Sequence, residues 1–261
     1  MTFFKWYGGL QRKMLSRFDR LFVQNELSRK LISKIGLSDI CEVSGDTRFD
    51  RVTTIAENFQ PIPVIEQFIG NSKTIVAGST WKEDEEVLQK AFASINEPSL
   101  KLIIAPHEIN ESHINELQKL FPTSILFSTL NSGQQTTTSN ILIIDNIGML
   151  SRLYHYGYIT FVGGAFRKSG VHNVLEAAVY GKPVLYGPEY KKYFEAIELI
   201  ESGGGICVEN AEDCAGIIQL LLQNENGYRE KAEKSLLYVL KNKGATEKIL
   251  RFIKEKNYLV G

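Results

Sequence analysis

The chain has 261 residues, 43% of them hydrophobic and 23% charged, with 30 basic and 30 acidic side chains that cancel. That is apolar material for one large or two small globular domains, and the balanced charge gives no global field of the kind that draws a protein to nucleic acid. Cys41, Cys207 and Cys214 are few, odd in number and not in metal spacing, which fits a reducing, cytoplasmic compartment; no apolar run approaches the ~20 residues of a membrane span, and the opening MTFFKWYGG lacks the apolar core of a signal peptide.

In chain order, short apolar runs predict strands at 21–23 and 41–43, with two helices at most around them. Residues 1–50 therefore hold too little apolar surface for a doubly wound domain; residues 1–60 read as the tail of a domain running into a linker, AENFQPIPVIEQFIGNSK, marked by Pro61 and Pro63. From residue 61 to about 230 the pattern changes. Strands are predicted at 74–77, 100–104, 124–127, 141–144, 158–162, 183–186 and 205–208, and helices at 83–94, 110–120, 149–156, 191–202 and 211–223. Near-continuous apolar strands between amphipathic helices predict a Rossmann-like, doubly wound parallel sheet in an α/β domain. Two charged helices, at 228–242 and 245–256, close the chain, and residues 231–261 are expected to pack back toward the first domain.

Ligands of such sheets bind at the carboxyl ends of the strands, so the loops there are the candidates. Gly78-Ser79-Thr80 follows the first strand and precedes the acidic run Glu83-Asp84-Glu85-Glu86; it offers a close approach to a phosphate or sugar, or simply a turn with a helix cap beside charges that complement the helix dipole. Ala105-Pro106-His107-Glu108 follows the second, as a site or an exposed turn. Asp145-Asn146-Ile147-Gly148 follows another, with Asp145 available to cap the next helix. The fullest loop is FVGGAFRKSGVHNVLEAAVYGKPVLYGP, residues 161–188. Gly163-Gly164 end a strand, a helix is expected to start near His172, Gly181 stops it, and the helix N-terminus favours an anion. Asn173 and Glu176 stand three apart, on one helical face, where a carboxylate can accept hydrogen bonds from the two hydroxyls of a ribose. Arg167 and Lys168 belong either to a solvated loop or to a phosphate or carboxylate contact; Lys191 and Lys192 read as the start of an exposed helix.

The residues Gly163-Gly164-Ala165-Phe166, Gly170-Val171-His172-Asn173-Val174-Leu175-Glu176, Gly181-Lys182-Pro183-Val184 and Gly187-Pro188 together resemble the signature of bacterial 3-deoxy-D-manno-octulosonic acid (Kdo) transferases. Gly45-Asp46-Thr47-Arg48-Phe49-Asp50, Gly78-Ser79-Thr80 with Glu85-Glu86, and Asp145-Asn146-Ile147-Gly148 extend the likeness over most of residues 10–210. Trp81 stands where that family usually has His, and Pro106-His107-Glu108 lacks the family's usual Arg. The resemblance implies the C-terminal half of a GT-B glycosyltransferase. Its donor would be CMP-Kdo and its acceptor a lipid A precursor (lipid IVA). No metal, cofactor or nucleic acid is implied.

The residues placed at the donor by this resemblance and by the loops are Ser79, Thr80, Pro106, His107, Ile147, Gly148 and Met149, then Gly163, Gly164, Ala165, Phe166, Arg167, Lys168, Gly170, His172, Asn173 and Glu176. The family's catalytic base is expected upstream of this chain, which would leave none here. The full-length protein is expected at the cytoplasmic face of the inner membrane. There the basic and aromatic segment 3–20 either touches an anionic bilayer or packs as a helix inside the first domain. An epimerase-like GT-B enzyme and a non-catalytic nucleotide-binding module are the alternatives.

Overall fold

A computed structural model describes residues 8–133 and 138–258. The chain divides into two compact units, one made of residues 1–53 with 241–261 and the other of residues 54–240. In the first unit, β1 (Leu21–Val23) and β2 (Cys41–Val43) pair in parallel. Around them lie helices Gly9–Leu15, Glu26–Ser33 and Ala245–Glu255. Asn25 caps Glu26–Ser33 by accepting from Ser28 N at 2.9 Å. The carboxylate of Asp50 accepts from Gly244 N at 2.6 Å, Thr246 N at 2.9 Å and Thr246 Oγ1 at 3.1 Å, so it satisfies first-turn donors of the helix Ala245–Glu255. Of the basic-aromatic segment, Phe3, Phe4, Lys5, Trp6 and Tyr7 lie outside the described residues; within it, Leu10, Met14 and Phe18 are exposed. Among the described residues no helix is long and apolar enough to cross a membrane.

The second unit holds seven parallel strands: β3 (Thr74–Thr80), β4 (Lys101–Pro106), β5 (Ile125–Leu126), β6 (Ile141–Ile143), β7 (Ile159–Val162), β8 (Val184–Tyr186) and β9 (Gly205–Cys207). Their order across the sheet is β5-β6-β4-β3-β7-β8-β9. The α/β, doubly wound, Rossmann-like fold expected from the sequence is thus the fold observed. Ile75, Leu102, Ile104, Ile143, Phe161 and Leu185 from the strands share a core with Leu88 and Leu117 from the helices Lys82–Ser94 and Glu111–Leu120, and with Ile218 of Ala211–Gln223. The chain leaves β3 toward β4 on one side and returns to β7 on the other. The reversal point, where open sheets form a ligand crevice, therefore lies between the ends of β3 and β7.

Several boundaries differ from expectation. Strand β3 continues through Gly78-Ser79-Thr80 instead of ending in a turn, with a register shift between Gly78 and Thr80 and Ser79 at φ +53°. The strand expected at 124–127 is only Ile125–Leu126, because Asp145 accepts from Ser128 N at 2.9 Å and from its hydroxyl, and a short helix, Phe127–Asn131, begins there. Asp145 thus serves that helix, not the one that follows it. The 149–156 helix is Leu150–Leu153 followed by a 3-10 turn, Tyr154–Tyr156. Residues 56–73, read as linker, contain the helix Pro63–Ile69, with Pro63 in its first turn and Ile65 and Phe68 buried. Lys191 and Lys192 precede a helix that begins only at Phe194.

Candidate functional site

The largest departure lies in the glycine loop. No helix starts at His172: the helical stretch is one turn, Leu175–Ala178, so the dipole expected to hold an anion is small. The chain instead folds back against the sheet, with His172 N donating to Gly163 O at 3.0 Å and Gly170 N to Arg167 O at 3.0 Å. Gly164 and Gly170 sit at φ +93° and +90°, where L side chains are strained. At Gly163 the need is for space: a Cβ there would lie 2.4 Å from Ser79 O and 2.6 Å from Thr80 Cα. Those contacts bring the ends of β3 and β7 together at the reversal point.

A buried carboxylate fastens this junction. Asp84 Oδ2 accepts from Trp81 N at 2.9 Å, at the start of the helix Lys82–Ser94, and from Gly164 N at 2.8 Å, in the glycine loop. Asp84 is fully buried, and its Oδ1 has no hydrogen-bond partner among the described residues. Burial pushes its carboxyl up to about 6, against the pull of the backbone N–H groups of Gly164, Trp81 and Phe166. Next to it Glu85, also buried, accepts from Thr80 Oγ1 at 2.9 Å and pairs with His113 Nε2 at 3.1 Å; burial raises its carboxyl too. Asp84 and Glu85 are therefore internal hydrogen-bonding groups as well as complements to the helix dipole.

Pro106 pairs with Thr80 across β3 and β4, and His107 N donates to Thr80 O at 2.9 Å. The His107 ring stacks on Trp81 (centroids 4.6 Å) and on His172 (4.5 Å), while Trp81 Nε1 donates to His172 Nε2 at 3.0 Å. Arg167 is not simply solvated: its guanidinium lies 4.0 Å over the Trp81 ring, and its Nε is 3.7 Å from Glu83. Lys168 is exposed, and its carbonyl accepts from Lys192 Nζ at 2.8 Å. Ala165 O accepts from Glu189 N, and the Phe166 ring occupies the space beside Gly187.

Asn173 and Glu176 do meet, though not as partners on one helix face. Asn173 precedes the turn, accepts from Leu175 N at 3.2 Å and donates through Nδ2 to Glu176 Oε1 at 3.0 Å. The Glu176 carboxylate lies near Tyr154, whose hydroxyl is held up by burial and then by that charge. The same Tyr154 hydroxyl fills the space a side chain at Gly78 would need. Glu176 is thereby brought toward the exit of β3. The β6 exit is less engaged: Ile147 is 85% exposed and Gly148 is open, whereas Met149 is buried. Sequence reasoning missed Asp84 and Tyr154 as site neighbours, and marked Trp81 only as standing where the family usually has His. An acid at the third position of a helix was the one available signal for Asp84; nothing local marked Tyr154. A cavity of about 530 Å³ adjoins Phe166, but Glu83, Glu86 and Glu212 line it with Lys90 as the one basic group, which disfavours an anion.

Fold and crevice together define a class: a doubly wound, Rossmann-like α/β domain with a ligand crevice at the reversal point of its sheet. Among solved structures, the chain is similar to the C-terminal CMP-Kdo binding domain of WaaA from Acinetobacter baumannii, with TM-score 0.58 and 18% identity over 73% of this chain and 97% of that one. It is also similar to a putative UDP-N-acetylglucosamine 2-epimerase from Listeria monocytogenes, with TM-score 0.66 and 16% identity over 100% of this chain and 66% of that one. In sequence it resembles the 3-deoxy-D-manno-octulosonic acid transferases of Rickettsia typhi (24% identity over 246 residues, 92% of this chain and 53% of the relative) and Aquifex aeolicus (30% over 207 residues, 78% and 54%). The resemblance to bacterial Kdo transferases therefore holds over most of the chain. No family model matches it. The chain spans about half the length of the curated relatives it matches.

Proposed function

We propose that this chain is the donor-binding part of a Kdo transferase, which moves Kdo from CMP-Kdo to a lipid A precursor (lipid IVA). The observation that carries this reading is the Asn173–Glu176 pair, bonded at 3.0 Å beside the glycine loop at the β3/β7 reversal point. Glu176 receives the ribose hydroxyls. The loop residues 163–170, with Ser79, Thr80, Pro106, His107 and His172, surround the phosphate and sugar, and Ile147, Gly148 and Met149 border the nucleotide. Loop backbone N–H groups and Arg167 stabilise the leaving CMP phosphate, which is the part of an inverting transfer that donor-side groups can supply. Removal of the acceptor proton needs a base, which we assign to a region outside this chain. On this reading the 261-residue chain alone gives no Kdo transfer, since loss of a positioned base costs about 10²- to 10⁴-fold. In the full-length protein, the acceptor lipid and an anionic membrane surface at the cytoplasmic face of the inner membrane are the remaining partners.

Calorimetric titration with CMP tests the assignment. Glu176→Ala is expected to weaken binding by roughly 1–3 kcal/mol, about 5- to 150-fold; unchanged affinity removes Glu176 from the ribose. A second reading is favoured by one observation, the fold similarity to UDP-sugar epimerases over nearly the whole chain. Preference for UDP over CMP, with turnover of a UDP-sugar and no acceptor, would select it. CMP binding by the chain, with no transfer even by the full-length protein, would select a non-catalytic nucleotide-binding module.

A further inference from the structure

An indole nitrogen donates a hydrogen bond and never accepts one, so the 3.0 Å contact from Trp81 Nε1 fixes the state of His172. His172 Nε2 must present a lone pair, which makes the ring neutral with its one proton on Nδ1. The surroundings agree. His107 faces the ring from the exit of β4, Arg167 and the Gly164 backbone face it from the glycine loop, and Glu83, on the helix after β3, pairs with Arg167. Burial first, then His107 and Arg167, lowers the tendency of His172 to take a second proton. A Cβ at Gly164 would lie 2.8 Å from His172 Cδ2 and 3.2 Å from its Nε2, so protein already closes the Nε2 edge on two sides.

We propose that Trp81 is a positioning residue whose indole N–H holds His172 as the neutral Nδ1–H tautomer, so that the imidazole offers an oxyanion ligand one hydrogen-bond donor and no acceptor. The ligand class rests on the nucleotide-binding reading; the tautomer does not. Protonation of Nε2 sets two donors against each other, which breaks the Trp81 contact and loosens the stack that Arg167 and His107 share with it. Order in this part of the crevice is therefore lost below the depressed titration point of His172.

The experiment is long-range proton–nitrogen correlation on the full chain labelled with 15N-histidine, with His172 assigned by His172→Gln. In the wild type, His172 is expected to show the Nδ1–H pattern at pH 7.5 and to titrate below its ordinary 6.5. Trp81→Phe keeps a ring without the donor: the pattern shifts toward that of a free imidazole and the midpoint rises toward 6.5. Trp81→His restores a ring N–H of different shape and is expected to restore the Nδ1–H pattern, which a purely packing role would not do. If Trp81→Phe does not fold, Trp81→His alone carries the tautomer test. An Nε2–H pattern in the wild type, an unchanged pattern in Trp81→Phe, or loss of the Nδ1–H pattern in a folded Trp81→His overturns the proposal. A CMP titration forms the second arm, with affinity of Trp81→Phe expected about 5- to 10-fold lower at pH 7.5, one hydrogen bond's worth. Failure of the wild type to bind CMP sinks the nucleotide reading and leaves the tautomer result standing. An altered tautomer with unchanged CMP affinity overturns the positioning role.

Discussion

The exits of β7 and β6 supply loops to the same end of the sheet, yet they are built in opposite ways. After β7, space is used to contact distance: Gly163 lies against the backbone of Ser79 and Thr80, Gly164 against Gly170 and His172, and Gly187 against the Phe166 ring. After β6, nothing lies within 4 Å of where a Cβ at Gly148 would stand, and Ile147 projects into solvent. One wall of the crevice is set before a ligand arrives, while the other has room to adjust. Preorganised contacts lower the ordering cost of binding, and an open apolar side chain can gain contacts only when something arrives.

Substitution at Gly163 should break this contrast most severely. Gly163→Ala forces β3 and β7 apart, because the atoms in the way are backbone; we expect a loss of about 3 kcal/mol or more and a Tm lower by roughly 2–4 °C per kcal/mol, read by thermal melts. An unshifted Tm would mean that the two exits are not in tight contact. Asp84→Ala comes next, leaving the N–H groups of Trp81 and Gly164 without their acceptor, at about 2–3 kcal/mol.

Asp84→Asn sharpens the comparison through pH. The folded value, about 6, lies above the ordinary 3.8, so the native state holds this proton more tightly than the unfolded chain does. Its contribution is present below 3.8 and lost as pH rises through 6. Relative to wild type, Asp84→Asn should therefore gain stability from pH 4 to 6 and level off above, by up to about 3 kcal/mol. Urea unfolding across that range checks it, and a flat difference would show that Asp84 is an ordinary carboxylate. The smallest effect belongs to the open wall. Ile147→Ser should change stability by less than about 0.5 kcal/mol while weakening CMP binding a few-fold; equal affinity would take the β6 exit out of the site.

The strands were legible because parallel strands buried on both faces must be near-continuous apolar runs, as at Leu102-Ile103-Ile104 and Ile141-Leu142-Ile143. The glycine loop was legible as a site but not as a shape. Val174, Leu175, Ala178 and Val179 carry helical spacing, and bonds such as His172 N to Gly163 O and Val171 N to Glu189 O keep the preceding residues out of the helix. Asp84 was hidden for a similar reason: its partner Gly164 is 80 residues away, and an acid in a first helical turn already has a local explanation. Trp81 and His172 are 91 residues apart. Local pattern reveals periodicity and turn chemistry, whereas these bonds depend on which strand ends the sheet order makes neighbours.

Asp50 carries a consequence for the order in which this protein is made. Its carboxylate is held by Gly244 and Thr246, 194 and 196 residues later in the chain. Chains emerge from the ribosome at ~5–20 residues per second, and domains fold as units during synthesis. The unit of residues 54–240 can therefore assemble before Gly244 and Thr246 have reached Asp50, whereas the unit containing β1 and β2 stays incomplete until residues 241–258 have been added. Its early strands wait roughly 10–40 s at that pace, with the Phe22 ring of β1 lacking the Phe252 ring it meets at 5.5 Å in the finished unit. That interval is where a nascent chain of this kind is most open to aggregation and to chaperone capture.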